Sequence, residues 1–86
     1  MTFNEMRRKC LQKYIELWGE EWVEQRKSSI WDGYTDEDEN GELRYSICQH
    51  DKKQNPGICF SHNLPRHYTN FKCNMKTGEI EVIDHR

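Results

Sequence analysis

Up to about residue 27 the apolar positions recur every three or four residues. From residue 30 onward they alternate with polar ones. That change of rhythm predicts an α+β domain: an N-terminal amphipathic helix over residues 3–27, packed on one face of a four- or five-stranded antiparallel β-meander. On a helical wheel Phe3, Met6, Cys10, Leu11, Tyr14, Ile15, Leu17, Trp18 and Trp22 fall on one half. Lys9, Gln12, Lys13, Glu16 and Glu20 fall on the other. Thr2 and Glu5 have the spacing of a capping box, in which the threonine accepts from the backbone and the glutamate reaches back. Gly19 interrupts the pattern and marks a kink or a close approach of the sheet. Ser28 and Ser29 end the helix.

The alternating part predicts strands at 30–34, 43–50, 58–62, 68–74 and 79–84. Turn residues separate them: Asn40-Gly41, Asn55-Pro56-Gly57, Leu64-Pro65 and Lys76-Thr77-Gly78. A register follows from placing Cys48 against Cys59. Ile47 then faces Phe60, Phe60 faces Phe71, Ile58 faces Cys73, Cys73 faces Ile80 and Phe71 faces Val82. With that pairing Tyr45, Ile47, Ile58, Phe60, Phe71, Cys73, Ile80 and Val82 share one sheet face, able to bury the helix stripe. The first strand adds Ile30 and Tyr34 to the same side. No repeat or linker divides residues 1–86, so a single domain is expected.

Composition changes this picture in one respect. Leu, Ile, Val and Phe together number only fifteen of 86 residues, a fraction typical of disordered chains. The net charge of only −2, with three Trp and four Tyr, argues instead for a thin core rich in aromatics. The near-neutral balance disfavours a general nucleic-acid binder, which carries a positive excess. No run of residues is apolar enough to span a membrane. The opening Met1-Thr2-Phe3-Asn4-Glu5 lacks the layout of a signal peptide, so reduced cysteines and a cytoplasmic location are expected.

Three groups of residues could carry chemistry. Cys48-Gln49-His50 and Cys59-Phe60-Ser61-His62 offer thiols and imidazoles for zinc. Their C-x-H and C-x2-H spacings only half match the usual paired ligands. The register above turns Cys48, His50 and Cys59 outward together and His62 the other way, so a fourth ligand needs a bulge that turns His62 over or a contribution from Asp51. Cys59 with His62, or Cys73 with His67, has the composition of a thiol nucleophile and its base. Cys10 and Cys73 also suit a plain role as small core residues.

The remaining features suit contact. Asp36, Glu37, Asp38 and Glu39 form an acidic loop that either keeps the chain solvated or meets a basic surface. Trp31, Tyr68 and Lys72 fall on the outward sheet face by alternation. Such a face can bind a protein or stack single-stranded bases. With no phosphate loop, carboxylate pair or triad in sight, the chain reads as a non-enzymatic cytosolic interaction module without a cofactor. It binds a protein partner and modulates it by inhibition, a role in keeping with a phage or mobile-element accessory protein. The alternative is a zinc-stabilised nucleic-acid-binding module using Cys48, His50, Cys59 and His62.

Overall fold

Thr2 starts the first helix. Its hydroxyl accepts from the Glu5 amide at 3.2 Å and donates to the Glu5 carboxylate at 3.1 Å. The glutamate thus reaches the threonine side chain rather than its backbone, and the cap contributes about 1 kcal/mol. Helix α1 runs Phe3–Trp18 and stops at Gly19, whose φ of 101° lies outside helical space and is open to a residue without a Cβ. The Gly19 amide closes α1 on the Ile15 carbonyl, and its own carbonyl accepts from Val23 to open α2, Glu20–Gln25. The single helix expected over 3–27 is therefore two helices meeting at a break. A short 3₁₀ turn, Lys27–Ser29, follows and leads straight into the sheet.

The structure is a computed structural model that describes residues 1–49 and 66–85. Within these the sheet is open, antiparallel and four-stranded, in the order β1 (Ile30–Tyr34), β2 (Glu42–Gln49), β3 (Arg66–Asn74), β4 (Ile80–His85). The fold is accordingly α+β. Among the described residues no helix is long and apolar enough to cross a membrane.

The register corrects one expectation and keeps another. Phe71 faces Val82 and Cys73 faces Ile80, as the alternation predicts. Strand β2, however, pairs directly with β3, Leu43 facing Cys73, Tyr45 facing Phe71 and Ile47 facing Thr69. The place assigned to a strand at 58–62 between them is taken, and residues 58–62 themselves lie outside the described residues. The physical reason is length. The two strands have eight and nine residues, and a five-residue strand between them would leave both with unpaired ends.

The buried cluster joins Met6, Cys10 and Tyr14 of α1, Val23 of α2, Leu43, Tyr45 and Ile47 of β2, and Phe71 and Cys73 of β3. Ile80 and Val82 flank it, partly buried. Thr69 is fully buried too, a polar residue that the alternation of apolar types does not flag. Its hydroxyl accepts the indole N–H of Trp18 at 3.1 Å, which satisfies both groups. Leu11, on the apolar half of the wheel, remains 42% exposed.

Two bulges break the alternation at the end of the sheet farthest from the β3–β4 turn. His67 and Tyr68 together oppose Cys48, between the pairs Ile47–Thr69 and Gln49–Arg66. His67 sits at φ 49°, a left-handed conformation that costs a non-glycine residue roughly 1 kcal/mol or more. On β4 the extra residue is Ile83, after which His85 faces Thr69. Both imidazoles thereby come edge-on to Trp18, with centroids at 4.8 Å for His67 and 5.6 Å for His85. Trp22 lies 4.7 Å from His67. The Tyr14 hydroxyl donates to the His67 carbonyl at 2.7 Å and holds the bulge to α1.

Candidate interaction site

The β1–β2 connection carries the acidic residues, and its hydrogen bonds hold it in one shape. Thr35 and Arg44 exchange bonds at its base, the Thr35 amide to the Arg44 carbonyl and the Arg44 amide to the Thr35 hydroxyl, both at 2.9 Å. Asp38 organises the tip. Its carboxylate accepts from the amides of Asn40 at 2.9 Å and Glu42 at 2.8 Å, and its carbonyl accepts from Gly41 at 3.1 Å. Gly41, at φ 83°, supplies the left-handed residue that lets the chain turn back into β2.

A second connection braces this tip from the side. The Met75 amide donates to the Gly41 carbonyl at 2.7 Å, and Lys76 Nζ reaches the Glu39 carbonyl at 2.9 Å. The brace is itself fixed, because Asn74 Oδ1 accepts from the amides of Lys76 and Thr77. Residues 35–40 are all exposed. Among the described residues no ion pair engages the carboxylates of Asp36, Glu37 or Glu39. The four acids therefore divide: Asp38 builds the turn, and the other three are displayed by it. The charge pattern treats the four acids alike; the signal that could have set Asp38 apart is the ability of an aspartate to bond the backbone two residues on, here at Asn40.

The outward sheet face is less available than alternation implies. Lys72 is bound to Glu42 at 3.0 Å. The Ser46 hydroxyl donates to Asn70 at 2.5 Å, and Asn70 passes the chain on to Asp84 at 2.8 Å. Trp31, opposite Cys48, is half-buried, and its indole nitrogen is shut off from solvent. Tyr68 is half-buried in the bulge. The face thus presents a polar ladder, and it does not gather Trp31, Tyr68 and Lys72 with the acidic tip into one patch.

On the other side a groove of about 540 Å³ runs between the helices and β1, floored by Leu11, Ile15, Val23, Ile30 and Ile47. Arg7, Asp32 and Tyr45 meet at its wall. The Tyr45 hydroxyl donates to Asp32 Oδ2 at 2.5 Å, and Arg7 reaches the same oxygen through Nη2 at 3.0 Å. Burial, then the hydrogen bond to Asp32, push the Tyr45 phenol above its ordinary range. Since Asp32 is engaged by both neighbours, the trio works as a clasp between edge strand and helix.

Of the zinc set only Cys48 falls among the described residues; His50, Cys59 and His62 lie outside them, as does the Cys59–His62 pair. Among the described residues no three His, Cys, Asp or Glu side chains gather as metal ligands. The other thiol–imidazole pair is ruled out by position. Cys73 is buried against Cys10, whereas His67 packs on the tryptophans six residues along the same strand, roughly 20 Å away at the rise of a β-strand. Sequence reasoning missed the Trp18–Trp22–His67–His85 cluster, because two bulges assemble it and neither leaves a local signal. Comparison with protein-family models, with curated proteins and with solved structures finds no match to this chain.

Proposed function

We propose that this protein is a single-domain cytosolic interaction module that acts by contact rather than catalysis, docking its acidic tip on a basic surface of a protein partner and blocking what that surface does. In this reading α1 covers one face of the sheet, and the sheet is the rigid mount for the tip. The observation that carries the proposal is the contrast within four residues. Asp38 and the Met75–Lys76 brace fix the loop, while Asp36, Glu37 and Glu39 are left to solvent. A loop that served only for solubility would need no such bracing. A fixed display of charge loses little entropy on binding and steers a fast encounter.

The experiment is capture of the partner from the protein's own cells or host on immobilised wild-type chain, repeated with the Asp36→Lys, Glu37→Lys, Glu39→Lys triple variant. The variant is expected to fold as the wild type does and to lose the partner. The wild-type complex is expected to weaken as salt rises, because the contact is between exposed charges. Equal capture by both proteins would remove the tip from the mechanism.

A further inference from the structure

The buried cluster contains three sulfurs in contact. Cys10 Sγ lies 3.6 Å from Cys73 Sγ and 3.8 Å from Met6 Sδ. All three residues are fully buried. Met6 and Cys10 are one helical turn apart on the inner face of α1, and Cys73 comes from β3, so helix and sheet each contribute. From this arrangement we propose that Met6, Cys10 and Cys73 form a binding site for Cu(I), holding the metal between helix and sheet.

The two sulfur–sulfur contacts made by Cys10 fit before any metal is added. A metal about 2.3 Å from each sulfur, at angles between tetrahedral and trigonal, spans sulfur–sulfur separations of roughly 3.7–4.0 Å. The two contacts observed, 3.6 and 3.8 Å, need only small adjustment. The donor set selects the metal. A thioether with two thiols is a soft set that favours Cu(I), whereas zinc asks for four N or S ligands. Binding breaks the S–H bonds of both cysteines, forms Cu–S bonds to the two thiolates and the thioether, and releases two protons to water. Copper stays at +1 and no electron moves. Two thiolates against one cation leave the site a single net negative charge, smaller than the uncompensated pair would carry.

The hydrogen bond between the two thiols, and then burial, push Cys10 upward, while the same bond lowers Cys73. Cu(I) displaces the thiol protons of its ligands, so its affinity should rise with pH. Because the sulfurs are closed off from solvent, loading goes through opening of α1 or accompanies folding.

The test is an anaerobic titration of the reduced 86-residue chain, refolded with Cu(I), against bathocuproine disulfonate. The expected result is one Cu(I) retained per chain, a higher melting temperature, and a copper-edge X-ray absorption spectrum with a sulfur shell at about 2.3 Å. Met6→Leu preserves volume and fold. It should lower the affinity on the order of tenfold or more, as losses around metal sites do. Cys10→Ala with Cys73→Ala should abolish retention, and Cys48→Ser with Cys59→Ser should leave it intact. Wild-type protein that refolds in the presence of Cu(I) yet retains none against the chelator, retention surviving in the Cys10/Cys73 variant, or isolation of a Cys10–Cys73 disulfide in place of the metal form would each overturn the proposal.

Discussion

Phe71→Ala is expected to destabilise the protein by about 3–5 kcal/mol, the usual cost of emptying an aromatic position in a closed core. Phe71 is fully buried at the middle of β3, where it faces Tyr45 across one ladder and Val82 across the other. The Tyr45 ring lies 6.4 Å away, centroid to centroid. Few large residues compensate, since the buried cluster draws on a chain with only three Phe and three Trp. A domain of this size has on the order of 5–10 kcal/mol in total, so the variant loses roughly 30% of it or more. Urea denaturation followed by circular dichroism checks this. A midpoint within a few tenths molar of wild type would mean that Phe71 is not at the centre of the core.

Gly41→Ala is the second large effect, and it acts on the site rather than the core. At φ 83° an L side chain is strained whatever the space around it. The added Cβ would lie 2.7 Å from Lys76 Cγ and 3.3 Å from the Lys76 amide nitrogen. The side chain can swing away, but only by releasing the Glu39 carbonyl that it holds. The amide nitrogen cannot follow, because Asn74 fixes that turn. A loss of about 1–3 kcal/mol is expected, together with weaker partner binding than the folded fraction alone explains. Gly33→Ala is the control, since a Cβ there meets nothing within 4 Å and no positive φ is involved. If both substitutions leave stability and binding alike, the brace between Lys76 and the acidic tip has no mechanical role.

How far the chain discloses this arrangement depends on the physics of each feature. Alternation fixes which face a side chain takes. It therefore identified Tyr45, Ile47, Phe71, Cys73, Ile80 and Val82 as one surface and placed the β3–β4 pairing correctly. Alternation is silent about which strand is the neighbour, because any two strands with the same period can pair. The period alone therefore allows β2 to pair with residues 58–62 as readily as with β3. Gly19 announced a disturbance but not its kind; only its backbone angles distinguish a break from a kink. The bulges at His67–Tyr68 and Ile83 insert one residue each and turn His85 toward Trp18, and no residue type demanded them. Within the acidic loop, composition marked four equivalent charges. Hydrogen bonding separates Asp38 from the other three.

The central claim is that the tip held by Asp38 and Lys76 is the part of the molecule that meets a partner. The most direct measurement is an amide chemical-shift map of the labelled protein as captured partner is added. The expected result is that the shifts concentrate in residues 35–42 and, through the brace, in 74–77. Shifts that instead gather along the groove of Arg7, Leu11, Asp32 and Tyr45, with residues 35–42 unmoved, would contradict the account.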